Sequence, residues 1–542
     1  NIINSIVTKS AIDKETLVIE IGPGLGVLTK YLLEKAGKVL CIELDPKMVE
    51  ILEDRFKFYS NFEILNEDVL KVDLNEIIRK NKMSDNIKNV KIVANLPYYI
   101  TTPIVMKLLE ERLDIESITI MIQKEVIREI LLENRKEIEL QHIVPRDIQM
   151  EEFANYVLIG VRRAGKSFML YQQIQQYLKQ GISWNSMLYL NFEDERLMGM
   201  TAQELNLILE VHGMMSDKRP ILFLDEIQNI DGWDKFARRL ADNKYRVYIT
   251  GSNAKMLSSD VATTLGGRYI TKHIMPYSFS EFLNANEISY DTDTIATTSG
   301  RAKVQRYFES YFHFGGFPEG AKLASKRDYI NSVYQKIYLG DIASRNKIEN
   351  QFSLRILFRK LAESVKQPIS FTRLTNIIAS TGAKLSKPTL INYIEYSKDA
   401  FLIYPIKNIA DNLTQRETNP KYYFVDNGII SILAMDIDTS LLENMVAMEL
   451  LRRYGLDEQV FFYNKNIEVD FYIPDAAMAI QVSYNPKKST ETWERESTAL
   501  IKLSKVLDCK RLIILTYELE EEIIVKDKKI EVIPVWKWLL DL

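Results

Sequence analysis

Short apolar runs separated by helical periods carry the first half of the chain. LVIEI (17–21), VLCIELD (39–45), FEILNEDVL (62–70), VKIVANLPYYI (90–100) and SITIMIQKEV (117–126) each hold a strand-length apolar core that ends in polar residues. Runs of this length, alternating with amphipathic stretches, predict buried parallel strands joined by helices. A second set follows: NYVLIG (155–160), ILFLDE (221–226) and RVYITGSN (246–253). Between the sets, IMIQKEVIREILLEN (120–134) passes from a strand-like to a helix-like pattern with no Gly, Pro or Ser linker. Residues 291–345 have a mainly helical pattern. Residues 350–410 hold two helical patterns around a turn and then an apolar run. The pattern predicts an α/β multidomain chain, its first junction at 127/128.

Composition narrows the class. With 542 residues, three to five domains are expected. An apolar share of 46%, a charged share of 27% and a net charge of −4 suit a globular protein without a global basic field for nucleic acid. Two distant cysteines, Cys41 and Cys509, and four scattered histidines offer neither a disulfide framework nor a zinc pattern. No apolar run reaches the roughly 18 residues of a membrane helix, and no signal-peptide pattern is visible. These features predict a cytoplasmic protein with no membrane partner. The chain opens on Asn1 inside a helix-like segment, NIINSIVTKSAI, which predicts a trimmed start.

Each set of strands has its own glycine loop. After strand 17–21, Gly22, Gly24 and Gly26 clear side chains from a turn that a ligand can approach, and the helix start behind it favours polar groups. Glu43 ends the second strand, 21 residues after Gly22, where an acid accepts from ribose hydroxyls. Asp68 follows the third strand and Asn95-Leu96-Pro97-Tyr98 the fourth. Residues 1–127 so arranged resemble the ribosomal RNA adenine N6-dimethyltransferase family. The resemblance implies an S-adenosylmethionine site in which Gly22 and Gly24 line the methionine part, Glu43 holds the ribose and Asp68 meets the adenine amine. It implies that Asn95 and the Leu96 carbonyl accept from the target adenine of rRNA while Tyr98 stacks on it. Two acceptors that orient a weak amine nucleophile, with an aromatic face for an unstacked base, suit that chemistry. The family pattern is incomplete at both ends. Its glutamine-phenylalanine segment before residue 1 is absent, and after Val126 its last two strands and helical RNA-binding domain do not follow. The expectation is a Rossmann-like fragment that does not methylate, with strand five left as an edge.

The second loop is a full Walker A match: Gly160-x-x-x-x-Gly165-Lys166-Ser167. Glycines let backbone N–H groups wrap phosphates, Lys166 adds charge at the β/γ-phosphates and Ser167 ligates Mg²⁺. ILFLDE supplies Asp225 for Mg²⁺ and Glu226 for the attacking water, and Ser252 or Asn253 ends the next strand near the γ-phosphate. This order resembles AAA-type P-loop ATPases, and more narrowly a bacterial and archaeal group with an uncharacterised C-terminal domain. YLNFEDERL (189–197), LDEIQNIDGWDKFARRL (224–240), TGSNAKML (250–257), LGGRYI (265–270), PYSFSEFL (276–283) and GGFPE (315–319) carry that likeness. It implies ATP and Mg²⁺ as ligands, Arg268 as an arginine finger or sensor, and sites shared in a homo-oligomer. Arg162 and Arg163 receive no role.

Expected domains are 128–290 (ATPase), 291–345 (helical lid), 346–415 (winged-helix-like, with Ser386–Tyr396 as the second helix) and 416–542. The last resembles a restriction-endonuclease-like core. Glu443 and Glu449 lie on a helix, Glu468 and Asp470 on a strand, and Gln481-Val482-Ser483 on the next. That core needs a second acid and a lysine where Gln481 and Ser483 stand, so a nuclease-like fold without cleavage is expected. Nucleic acid is a candidate partner of these last two domains. The whole chain reads as an ATPase carrying a partial methyltransferase. The alternatives are a bifunctional methyltransferase–ATPase acting on RNA and an ATP-switched scaffold. The junction itself admits two origins, gene rearrangement or an error in sequence assembly.

Overall fold

The first sheet assembles from the apolar runs in the predicted order. β1 (Thr16–Ile21), β2 (Lys38–Glu43), β3 (Phe62–Asn66), β4 (Asn89–Leu96) and β5 (Ser117–Ile122) are parallel and stand as β3-β2-β1-β4-β5. β1 is buried throughout. Leu17, Ile19 and Ile21 pack with Leu40, Ile42 and Ile92 on one face, and Val18 with Leu32, Leu33 and Val39 on the other. A strand covered on both sides has no solvent face, hence its lack of two-residue alternation. The computed structural model describes residues 12–84, 87–96, 104, 106–108, 110–111, 113–197, 200–252, 263–383, 385–456, 458–485 and 490–542. Pro97, Tyr98 and Asn253 lie outside these, as do the side chains of Asn95 and Leu96.

The chain divides into two compact units: residues 1–140, 183–221 and 230–233, and residues 141–182, 222–229 and 234–542. After β5 one unbroken helix, Gln123–Leu140, runs straight across the expected 127/128 junction. Val126, Ile127, Ile130, Leu131 and Ile138 form its buried face. Within the first unit its polar groups meet the later segment. Glu133 accepts from Arg196 at 2.7 Å, Lys124 pairs with Glu210 at 2.9 Å, and Arg135 lies over the Trp184 ring.

In the second unit β6 (Asn155–Ile159) lies between β9 (Val247–Gly251) and β10 (Tyr269–His273), all parallel, and β9 pairs onward with β8 (Ile221–Asp225). The remaining strand of this stretch, β7 (Met187–Asn191), belongs to the first unit. A stack of Tyr156, Tyr248 and Phe223 runs through the core. Helices Phe279–Ala285, Thr298–Phe314 and Lys326–Gln335 follow, then a π-helix, Lys336–Ser344.

Three helices come next, Gln351–Glu363, Phe371–Ser380 and Lys387–Asp399. Phe371–Ser380 and Lys387–Asp399 flank the turn, and Ser386 caps the second of these two. β11 (Ile403–Asn408) and β12 (Lys421–Phe424) pair antiparallel and continue through β13 (Phe461–Asn464), β14 (Glu468–Ile473), β15 (Met478–Ser483), β16 (Arg511–Thr516), β17 (Glu521–Val525) and β18 (Lys528–Pro534). The order is β12-β11-β13-β14-β15-β16-β18-β17. The expected 415/416 boundary therefore passes between two paired strands of one sheet. The motif GGFPE answers to one buried carboxylate. Asp426 accepts from Gly316 N at 2.7 Å and Gly428 N at 2.9 Å, and a Cβ on Gly315 would stand 1.7 Å from its Oδ1. Among the described residues no helix is long and apolar enough to cross a membrane.

Glu20, on the otherwise apolar β1, is buried beside Cys41, and burial pushes its pKa up to about 7. The folded chain then keeps a proton that the unfolded chain releases near its ordinary value of 4.5. This contribution to stability is complete below that value and is lost as pH rises through about 7. Glu20→Gln should remove that loss, so denaturation of the first unit at pH 6 and 8 should differ less than in the wild type.

Candidate functional site

The Walker A loop is shaped before any ligand is considered. Gly160 has φ +148°, and a Cβ there would stand 2.1 Å from the Ile274 carbonyl oxygen. Gly165 has φ +94° and starts the helix Lys166–Lys179. The buried Lys166 ammonium donates to the carbonyls of Gly160 and Val161, each at 3.2 Å, and lies 3.7 Å from Glu226 Oε1. Burial lowers its pKa, and the nearby Glu226 and Asp225 charges oppose that shift. Ser167, the next residue, is half-buried.

Asp225 and Glu226 leave β8 next to β9, whose Gly251 stands opposite Ile159 of β6. The two acids and the Walker A loop thus share the carboxyl edge of neighbouring strands. Asp225 is fully buried and accepts from the Thr250 hydroxyl, which in turn accepts from Glu226 N at 2.9 Å. Glu226 has φ +51°, an uncommon left-handed backbone for a non-glycine residue. Its carboxylate also accepts from the Gln228 amide. Ser252 Oγ is buried with no hydrogen-bond partner among the described residues. An orphaned hydroxyl, a buried cation, two acids and a loop of small residues at one edge fit a phosphate ester and its divalent ion.

Three arginines border this edge or lie away from it. Arg162 makes a two-point pair with the buried Asp341 of the π-helix, at 2.9 and 3.0 Å, and Arg163 pairs with Glu319 of GGFPE at 2.6 Å. Arg268 precedes β10 beside Asn155, at the opposite end of the strands from the loop. It is paired with Asp242 at 2.5 Å, so it does not reach this chain's own loop. Arg146, in no sequence motif, braces the loop directly. It donates to the Ala164 carbonyl at 3.1 Å and the Met275 carbonyl at 2.9 Å, and grips Glu281 at 2.8 and 3.0 Å. Burial alone would raise the Glu281 pKa, but Arg146 holds it below the ordinary value.

In the first unit the predicted positions also gather. Gly22 and Gly24 follow β1, Glu43 ends β2, Asp68 follows β3 and Asn95 lies in β4, all at the carboxyl edge of β3-β2-β1-β4. The strand order reverses between β1 and β4, where sheets of this kind bind ligands. Glu43 accepts from Gly24 N at 3.2 Å and Asp45 N at 3.0 Å. A Cβ on Gly24 would meet nothing within 4 Å, leaving open space over the turn. Asp68 accepts from Leu70 N at 3.0 Å and lies 3.8 Å from Lys71. An acid at the second strand and an open glycine turn fit the ribose and methionine parts of S-adenosylmethionine.

Three C-terminal acids, Glu443, Glu468 and Asp470, meet a cation that sequence reasoning missed. Lys421 of β12 is fully buried, with Nζ 3.2 Å from Glu443, 3.4 Å from Glu468 and 3.5 Å from Asp470. Burial works against its charge, yet these acids hold its pKa above the ordinary value. Gln481 accepts from Asp470 N at 2.7 Å and donates to Glu496. Ser483 is buried, and Glu449 pairs instead with Arg452 and Arg453. A lone lysine in the apolar run PKYYFVDNG was the available signal. Thr250 and Asp341 were missed because a threonine in a strand and an aspartate in a helix look ordinary.

The AAA domain family matches residues 152–283, the ribosomal RNA adenine dimethylase family residues 1–138, and a domain of unknown function residues 305–440. The chain is thus a fusion of an adenine dimethylase-like domain and an AAA domain. An uncharacterised protein of Methanocaldococcus jannaschii is 34% identical over 436 residues, 78% of this chain and 96% of that protein. Ribosomal RNA small subunit methyltransferase A of Clostridium botulinum is 49% identical over 130 residues, 24% of this chain. The chain spans 45% of that methyltransferase's length. A solved dimethyladenosine transferase from Plasmodium falciparum shares 25% identity, over 27% of this chain and 46% of that one, with a TM-score of 0.19.

Removing Arg146 leaves Glu281 buried without its partner. Arg146→Ala should destabilise the second unit by about 3–5 kcal/mol, read from its urea transition. The uncharged pair Arg146→Met with Glu281→Gln should cost less than the single change.

Proposed function

We propose that this chain, which belongs to the same family as the Methanocaldococcus jannaschii protein, hydrolyses ATP in its second unit and carries a first unit that no longer methylates RNA. The observation that carries the reading is the approach of Glu226 to Lys166, 3.7 Å, at the edge where the Walker A loop ends. Gly160, Gly165 and Lys166 would cradle the phosphates, with Ser252 or Asn253 beside the γ-phosphate. Ser167 and Asp225 would hold Mg²⁺, which neutralises charge between the phosphates. Glu226 orients the attacking water, its carboxylate fixed by a strained backbone and the Gln228 amide. Thr250 fixes Asp225 and Glu226 relative to each other. Arg268 serves a phosphoryl group held by a second copy of the chain.

For the first unit, the gathered Gly22, Gly24, Glu43 and Asp68 support a retained Rossmann-like sheet and glycine turn without retained cofactor binding. Against methylation stands the chain path. β5 passes into the helix Gln123–Leu140 and from there to the AAA domain, not into further strands of the sheet. Asn95, Leu96 and Tyr98 therefore stand as relics of a target-adenine site. In the C-terminal half, three helices followed by the β11–β12 pair support a winged-helix-like arrangement. The order helix, β14, β15 with Glu443 and Asp470 supports a nuclease-like, non-cleaving domain. Nucleic acid is the partner class these two would take.

Full-length protein should turn over ATP, and Glu226→Gln should lower kcat by about 100-fold or more while fluorescent ATP analogues still bind. Equal turnover in the two would leave ATP as a switch ligand only. S-adenosylmethionine should give no binding heat in calorimetry. Micromolar binding that disappears in Glu43→Ala would instead establish the bifunctional reading.

A further inference from the structure

We infer that the Lys421 ammonium takes the place of a divalent metal ion in the carboxylate pocket of the C-terminal sheet, and that this pocket is closed to metal in the native chain. Three acids converge from two elements, Glu443 from the helix Asp438–Tyr454 and Glu468 and Asp470 from β14. Lys421 Nζ stands among them at 3.2, 3.4 and 3.5 Å. These are ammonium–carboxylate separations. A bare Mg²⁺ needs oxygens at about 2.0–2.1 Å, so each acid would have to close by more than about 1 Å, and the lysine would have to leave. Nothing in the surroundings lets it leave. Lys421 is 0% exposed and its ammonium lies 5.3 Å from the centre of the Phe462 ring.

Two of the three acids carry further bonds, and Glu468 stands half exposed. Tyr423 donates to Glu443 at 2.8 Å, and Val482 N donates to Asp470 Oδ2 at 2.9 Å. At the position of the missing second acid, Gln481 spends its amide on Asp470 N and Glu496, stitching β14 to the helix Thr490–Leu503. A lysine nucleating water would need access and a nearby metal, and Lys421 has no access. Its charge instead offsets the buried Glu443 and Asp470 carboxylates, which otherwise repel one another. Three acids surround an internal cation fixed by the chain, and among the described residues no group of acids, histidines or cysteines is set to hold a metal ion. This inference rests on the nuclease-like reading of the C-terminal sheet and not on ATP hydrolysis.

The test is Mn²⁺ binding by the nucleotide-free full-length chain, read by electron paramagnetic resonance. Asp470→Asn should leave the Mn²⁺ bound by the native chain unchanged. Lys421→Ala should bind one Mn²⁺ more per chain than the native protein, and Lys421→Ala with Asp470→Asn should lose it. Loss of an Mn²⁺ from the native chain on Asp470→Asn, or a folded Lys421→Ala that gains none, overturns the inference. If Lys421→Ala does not fold alone, recovery of its thermal transition by Mn²⁺ but not by K⁺ supports it, and failure of Mn²⁺ to restore folding overturns it.

Discussion

A guanidinium withdrawn from water must find acceptors in every direction its five N–H groups point, and Arg146 does so by binding three parts of the second unit at once. It holds the Ala164 carbonyl of the Walker A loop, the Met275 carbonyl beyond β10 and both oxygens of Glu281. Its own N–H and C=O are matched by the Gln172 side chain on the helix after the loop. A lysine has no planar fork and could not serve these partners together. At the loop's other end Gly160 presses against the Ile274 carbonyl. The loop is thus pinned at both ends, and a ligand that enters it need not pay to order it.

The same rule, that a buried charge must be paired, explains how the loop connects to the helices behind it. Arg162 reaches Asp341 in a π-helix, a rare geometry that often marks functional sites. Arg163 reaches Glu319 beside the two glycines that close on Asp426. A change of loop shape would therefore strain two ion pairs rather than none. That gives the Walker A loop a physical route to helices 298–344 without a dedicated messenger element. Lys421 applies the rule once more, in a domain where the acids alone would be unstable together.

Strand identity was legible because parallel strands are apolar throughout, and both glycine loops were legible because φ above zero and close backbone approach demand glycine. Gly22, Gly24, Glu43, Gly160, Gly165, Lys166, Asp225 and Glu226 could be placed at strand ends from spacing alone. What spacing does not encode is long-range pairing. Arg146 and Glu281 are 135 residues apart, and Lys421 and Asp470 are joined across a sheet whose strand order departs from chain order. Arg268 lay in a segment with a strong family likeness, yet register with Asn155 puts it at the wrong end of β10 for its own loop. The expected 415/416 boundary falls between paired strands for a related reason. β11 has an apolar pattern that suits a wing, but its pairing with both β12 and β13 makes it part of the larger sheet.

The junction at 120–134 is intelligible as geometry. After β5 a doubly wound sheet requires a helix that lays an apolar stripe against it. An AAA-type core arriving from its amino side can equally accept such a helix against β7 and the helix Asn206–Met215. Gln123–Leu140 follows β5 directly and lies against β7 and the helix Asn206–Met215 with Val126, Ile127, Ile130, Leu131 and Ile138 buried, because a helix presents the same period whatever fold it serves. Its polar face supplies Lys124, Glu133 and Arg135 to partners at Glu210, Arg196 and Trp184, all in the later segment. Two broken plans can therefore share an element without an exposed seam, whereas a junction inside a strand would shift register and turn every side chain to the wrong face. An amphipathic helix is the kind of element at which a fragment of one fold can be joined to a second fold and still bury its apolar surface.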